Sequence, residues 1–288
     1  TILFDTNYVF IFEKAEYNNL LALGVKNVFY LPMAAPVSHY EKLVPGLTDH
    51  EKYDADISMI GSMYSEKKHS LYGKLSDLPA YDKGYLEALI EAQKFTYGTN
   101  IITQSLPTDI IKKMHSLAPM LMPEDELQSM EWAYSYYFLL REVTKRERFE
   151  ALDALSQDYA VHLFTHEATP NLPNVVNRGA LDYYTEMPLA MKCSKINLNI
   201  SLRSIVTGIP LRAMDIMGCG GFLMSNFQSD FLDYFVPGED FVFFEDINDL
   251  KDKVDYYLSH DKERTEIAHN GFVKVKENHN YCHRIEAI

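Results

Sequence analysis

Ser194–Asn226, SKINLNISLRSIVTGIPLRAMDIMGCGGFLMSN, decides how this chain is read. It runs apolar strand, polar loop, Gly-Ile-Pro turn, helix, glycine pair, second apolar strand. Gly208 permits a tight turn that exposes backbone to a ligand. Pro210 suits the first position of a helix, where the missing N–H costs nothing. The N–H groups of Leu211, Arg212 and Ala213 then point out of the helix start, an end that carries roughly half a positive charge and favours phosphate. Arg212 adds a permanent cation on the first turn, and Asp215, one turn further, offers a carboxylate to ribose hydroxyls. A diphosphate plus a sugar ring is what these features can hold together.

Outward from that stretch, strands alternate with helices. Ile2–Phe12, Asn27–Leu31, Asp56–Gly61, Tyr159–Thr165, Lys195–Ile200, Gly221–Asn226 and Phe241–Phe244 read as strands, with a short strand and turn in Val175–Leu181. Helices are expected over Glu13–Leu23, Tyr183–Met191, Pro210–Gly218, Ile247–Leu258 and Asp261–Glu277. Pro32–His50 reads as a loop. Glu66–Ser156 is a long helical region, with helical spacing in Lys83–Tyr97 and an acidic helix start at Pro123-Glu124-Asp125-Glu126. That helix is expected to end near Val143, with Thr144 and Glu147 forming a capping box for the next. The alternation predicts an α/β fold with a doubly wound parallel sheet. Ligands of such sheets bind beyond the carboxyl ends of the strands, which points to the loops after Thr165, Ile200 and Asn226.

The chain has 288 residues and 47% hydrophobic content, enough for one large or two modest cores. A formal net charge of −14, with no basic block longer than Lys67-Lys68, argues against nucleic acid or anionic lipid as a partner. Three widely spaced cysteines, Cys193, Cys219 and Cys282, fit free thiols in a reducing compartment, and no metal-ligand spacing is evident. No apolar run reaches bilayer length and no leader pattern opens the chain, so a cytoplasmic location is expected. The first residue is Thr inside an apolar run, which suggests a fragment lacking its own N-terminus.

Several segments together resemble the spore-maturation-protein-type (CgeB-like) glycosyltransferases, a bacterial group with the GT-B fold. The specific part is Gly208–Phe222. Supporting it are the run from Tyr53 through Asp54-Ala55-Asp56-Ile57 to Tyr64, Val143-Thr144-Lys145-Arg146-Glu147-Arg148, Val236-Pro237-Gly238-Glu239-Asp240 and Ile267-Ala268-His269-Asn270-Gly271-Phe272. The resemblance implies two Rossmann-like domains facing a cleft, a nucleotide-sugar donor on the C-terminal one and most of the acceptor on the other. Residues 1–53 would then be the tail of the acceptor-side domain. Residues 54–275 would be the donor domain, with 66–156 as a helical insertion, and residues 276–288 a helix crossing back. Retaining GT-B enzymes often carry two acids eight positions apart here. Asp215 stands at the second position, but Thr207 stands at the first, so their mechanism is not carried over.

Each candidate also has a plain reading. Gly208-Ile209-Pro210-Leu211-Arg212 can be an ordinary helix start, and Asp215 can simply pair with Arg212; the phosphate and ribose roles are preferred. Asn197 is read as structural, whereas Asn199 and Arg203 lie near the strand's carboxyl end, within reach of a donor. His166 follows a strand and faces the expected cleft, as acid, base or oxygen ligand. Lys67, with Lys68, stands where wider GT-B enzymes neutralise a leaving diphosphate, or is a solvated helix start. Cys219 is read as a small buried residue, not a nucleophile. The expected function is transfer of a sugar from a nucleoside-diphosphate sugar, UDP by default, to a glycan, protein or small-molecule acceptor, with no metal and no further cofactor. The catalytic base falls, on the resemblance, in the other domain. Rival readings are a GT-B-like nucleotide-sugar epimerase and a non-catalytic binding module.

Overall fold

The computed structural model describes residues 4–66, 71–122 and 127–288. In chain order these form β1 (Val9–Ile11), α1 (Lys14–Ala22), β2 (Val28–Tyr30), α2 (Val37–Tyr40), α3 (Leu47–Tyr53), β3 (Ala55–Ile60), α4 (Ala80–Lys94), α5 (Ile101–Ser105), α6 (Thr108–Leu117), α7 (Met130–Tyr134) and α8 (Leu140–Leu155). Then follow β4 (Val161–Phe164), β5 (Val176–Asn177), α9 (Met187–Cys193), β6 (Ser194–Asn199), α10 (Leu211–Gly218), β7 (Leu223–Asn226), β8 (Val242–Phe244), α11 (Ile247–Ser259), α12 (Asp261–Asn278) and α13 (Tyr281–Ala287). The chain divides into two compact units: Thr1–Tyr30, Met63–Glu147 and Leu202–Thr207 in one, and Leu31–Ser62, Arg148–Ser201 and Gly208–Ile288 in the other.

The second unit is built on a six-stranded, wholly parallel sheet in the order β5-β4-β3-β6-β7-β8. Counted from β3, this is the 3-2-1-4-5-6 order of a doubly wound fold, whose switch point lies between β3 and β6. β4, β6 and β7 are buried along nearly their whole length because helices cover both faces, and in β6 the buried amides of Asn197 and Asn199 alternate with Ile196 and Leu198. Met187, Met191, Met214, Met217, Phe231 and Phe241 fill one side. Burying each such side chain contributes on the order of 1.5–3 kcal/mol. Two glycines permit close approaches. A Cβ on Gly218 would stand 2.6 Å from Ala35 Cβ, and one on Gly221 would stand 2.8 Å from Asn197 Nδ2. Gly220, at φ +79°, turns the chain from α10 towards β7.

The first compact unit takes in Thr1–Tyr30, and the second takes up the chain at Leu31. Leu31–Tyr53 belongs with the sheet: Tyr53 packs against Phe164, Ala190 and Cys193. The expected loop of Pro32–His50 contains α2 and the start of α3. At the other end of this unit, Arg284 on α13 donates to the carbonyls of Pro32 (2.6 Å) and Met33 (3.0 Å).

In the first unit, β1 and β2 form a parallel pair against α1, with Leu20, Val25 and Val28 between them. Of the strand expected over Ile2–Phe12, Val9–Ile11 forms one among the described residues, and Ile2 and Leu3 lie outside them. Leu86, Ile90, Ile102, Met114, Tyr134 and Leu139 anchor a helical core. α7, one turn of π-helix over Ser135–Leu139 and α8 run on without a break, so the capping box expected at Thr144 and Glu147 does not form. Thr144 sits inside the helix, its hydroxyl bonded to the Leu140 carbonyl at 2.9 Å. Glu147 pairs with Arg203 instead. A tertiary ion pair has overridden the local capping signal. The acidic start at Pro123–Glu126 lies outside the described residues.

Candidate functional site

The carboxyl edge of the sheet carries a dense set of polar groups. At the switch point, Arg148 Nε and Nη2 donate to the Ile200 carbonyl at 3.1 and 2.5 Å, and Nη1 donates to the Ser62 carbonyl. One guanidinium therefore ties the loop after β3 to the loop after β6. The Ser62 hydroxyl donates to the buried Glu167, just past β4. At the end of β7, Asn226 Oδ1 accepts from the Ser201 N–H at 2.8 Å. Its Nδ2 is buried, with no hydrogen-bond partner among the described residues.

α10 starts at this edge. Pro210 is its N-cap (φ −70°, ψ 150°), so the helix begins at Leu211, one residue later than expected. The Ala213 N–H donates back to the Pro210 carbonyl at 3.0 Å. Among the described residues, no acceptor lies on the N–H groups of Leu211 and Arg212, so two open donors remain where three were expected. Arg212 Nη1 lies 3.4 Å from Asp215 Oδ2. The other oxygen of Asp215 accepts from the Tyr40 hydroxyl at 2.9 Å and the Tyr183 hydroxyl at 3.0 Å. Burial raises the Asp215 pKa, and Arg212 and the two hydroxyls oppose that rise. Burial and the Asp215 charge push both tyrosines up, so they act as neutral donors.

This geometry corrects parts of the sequence reading. Asp215 is fully buried with both oxygens engaged. A ribose reaches it only by displacing a tyrosine hydroxyl. Asn199 is also committed: its Nδ2 donates to Ser225 Oγ at 2.8 Å and Ser201 Oγ at 3.2 Å. Arg203 belongs to the first unit and its guanidinium is occupied there. It binds the Glu147 carboxylate, the carbonyls of Lys94 (2.7 Å) and Thr96 (3.3 Å), and the Tyr97 ring at 3.8 Å. Four of the five guanidinium N–H groups of Arg203 are thus engaged within that unit. Thr207 is in the same unit, its hydroxyl accepting from the Ala15 N–H at 3.1 Å. Gly208, Ile209 and Pro210 are buried and seat the start of α10, with Ile209 in the core. His166 is exposed just past β4. Lys67 and Lys68 lie outside the described residues. Cys219 is buried and its thiol pKa is pushed well up by desolvation, in keeping with a packing role.

Tyr40, Tyr183, Arg148 and Glu167 were not picked out as site residues. Tyr40 and Tyr183 lie in segments read as loop or helix, with no motif to mark them. Arg148 was visible only as part of a lead-in, although an arginine before a buried strand of an acidic chain is a signal. Glu167 directly follows His166 and carries no motif of its own.

A sequence profile described as glycosyl transferase-like matches residues 137–288, more than half of the chain. No curated protein matches it. Solved structures match it in fold. Sucrose-phosphate synthase from Thermosynechococcus elongatus aligns at TM-score 0.54 and 10% identity, over 99% of this chain and 57% of that one. Anabaena HepE in complex with UDP-glucose aligns at 0.51 and 8%, over 97% and 62%. TarM aligns at 0.50 and 11%, over 97% and 42%. The chain thus spans less than two thirds of each of these structures. At such identities the likeness is one of fold, the α/β architecture of GT-B glycosyltransferases. With the profile match over its C-terminal half, the chain belongs to the glycosyl transferase-like family.

Proposed function

We propose that this chain is the donor-binding part of a glycosyltransferase of the CgeB-like type, which moves a sugar from a nucleoside diphosphate to an acceptor hydroxyl or amine. The observation that carries the reading is the start of α10: two open N–H groups and the Arg212 guanidinium at the carboxyl edge of a parallel sheet. In the reaction, the bond from the anomeric carbon to the diphosphate oxygen breaks as the acceptor atom bonds to that carbon, and negative charge builds on the diphosphate. Preorganised donors at that position lower the barrier most. The amides of Leu211 and Arg212 and the Arg212 cation supply them, so this reading asks for no metal.

Asp215 acts through Arg212: a buried carboxylate held by two tyrosines fixes where the guanidinium points. Contact with the ribose itself would require the Tyr183 hydroxyl to swing away. HepE was solved with UDP-glucose bound, which supports uridine as the nucleoside. A thermal-shift series with UDP, GDP, ADP, CDP and inorganic phosphate tests the reading, because a ligand of the folded state must raise Tm. A concentration-dependent rise with one nucleoside diphosphate is expected; no rise with any of them contradicts it.

A further inference from the structure

The amino edge of the same sheet holds a second cluster of chemical interest. Asp54 and Cys193 each immediately precede the residues of the first β3–β6 rung, Ala55 and Ser194. Sheet pairing therefore sets them side by side on rigid backbone. His50 lies one turn before Asp54 on α3, with its Nδ1 2.8 Å from Asp54 Oδ1. One ligand atom from each of His50, Asp54 and Cys193 lies within 4.8 Å of the other two.

We propose that His50, Asp54 and Cys193 form a site for a thiophilic divalent cation, Zn(II) being the natural occupant, which joins the end of α3 to the end of α9. The donor set of imidazole nitrogen, carboxylate oxygen and thiolate sulfur is one that tetrahedral zinc takes, with a water in the fourth position. Bonds of about 2.0–2.3 Å need the three atoms to close by roughly 1 Å, which the half-exposed His50 and Asp54 side chains can supply by rotation. Cys193 also borders an open hollow of about 400 Å³, and the His50 and Asp54 side chains are open to solvent. The two lysines beside it are already held. Lys192 binds the Tyr40 and Leu43 carbonyls, and Lys195 pairs with Asp56 at 2.8 Å. A cation at this position gains from the Asp54 carboxylate and is compatible with a coordinated thiolate. Binding forms three metal–ligand bonds, sends the thiol proton to solvent, breaks the His50–Asp54 hydrogen bond and involves no redox change. The cluster lies at the strand starts, the opposite edge from α10's N-terminus, so the metal's role is structural and separate from the donor site.

Co(II) titration of the full chain tests this, in a Cys282→Ser background that removes the exposed thiol. The expected result is a saturable 1:1 thiolate-to-cobalt charge-transfer band, displaced by Zn(II). It should be abolished by Cys193→Ser and weakened at least about tenfold by His50→Ala or Asp54→Asn. At the same concentration Zn(II) should also raise Tm more in the parent than in Asp54→Asn. The exposed positions decide the matter even where Cys193→Ser fails to fold. A parent with no saturable band, or His50→Ala and Asp54→Asn variants that bind as the parent does, overturns the proposal.

Discussion

The Tyr183 hydroxyl donates to Asp215 Oδ1 across 3.0 Å, at the point where a ribose ligand had been expected. With Tyr40 on the same oxygen and Arg212 on the other, the carboxylate is part of the protein's own framework. Asp215→Ala removes the acceptor of the buried Tyr40 hydroxyl and the half-buried Tyr183 hydroxyl and should cost about 2–5 kcal/mol of stability in urea unfolding. Tyr183→Phe leaves Tyr40 and Arg212 in place and should cost only about 1 kcal/mol. Equal losses from the two would mean that the carboxylate is not the hub.

Arg203 and Glu147 form a buried pair at 2.5 Å, and breaking such a pair from one side strands the other charge. Arg203→Leu should destabilise by about 3–5 kcal/mol, and Arg203→Leu with Glu147→Leu should recover much of that. The affinity of the folded protein for a nucleoside diphosphate should be unchanged by either. Isothermal titration on the double variant checks this; a tenfold loss would return Arg203 to the ligand site.

Gly218 sets two effects against each other. Alanine is the better helix former by about 1 kcal/mol. Its Cβ, however, would stand 2.6 Å from Ala35 Cβ, and overpacking of this kind costs about 1–3 kcal/mol. The steric term should win, so Gly218→Ala lowers stability, whereas Gly218→Ala combined with Ala35→Gly restores it.

His279 carries a pH dependence. Burial, then the neighbouring Arg284 and His283, bring its pKa down to about 4. In the unfolded chain it titrates near 6.5. Between those values the unfolded state holds the extra proton, so this contribution to stability is complete above about pH 6.5 and is lost as pH falls towards 4. His279→Gln should flatten that part of the urea-midpoint profile. A profile with the parent's slope between pH 6.5 and 4 would show that other groups set it.

Much of the second unit was legible in the sequence because its signals are local. Short strand-like segments around Ile57, Leu163, Leu198 and Met224, separated by stretches of helical spacing, mark a parallel sheet. The proline before Leu211 marked the helix start to within one residue. What was not legible depends on partners distant in sequence. Thr144 and Glu147 matched a capping motif, yet Arg203, dozens of residues away, claims both: its N–H donates to Thr144 Oγ1 at 2.8 Å and its guanidinium binds Glu147. Asp215 was readable as a carboxylate on the right turn, but nothing local announces that Tyr40 and Tyr183 close over it. The grouping of His50, Asp54 and Cys193 is not legible either, because residues so far apart in sequence come together only once β3 pairs with β6.

The central claim is that the start of α10 and the Arg212 cation hold a diphosphate. Isothermal titration of UDP into the parent and into Arg212→Ala, each confirmed folded by circular dichroism, tests it most directly. The account predicts that the substitution weakens binding by about 1.5–3 kcal/mol, the size of a charge-assisted hydrogen bond. Parent and variant binding UDP with the same affinity would contradict it.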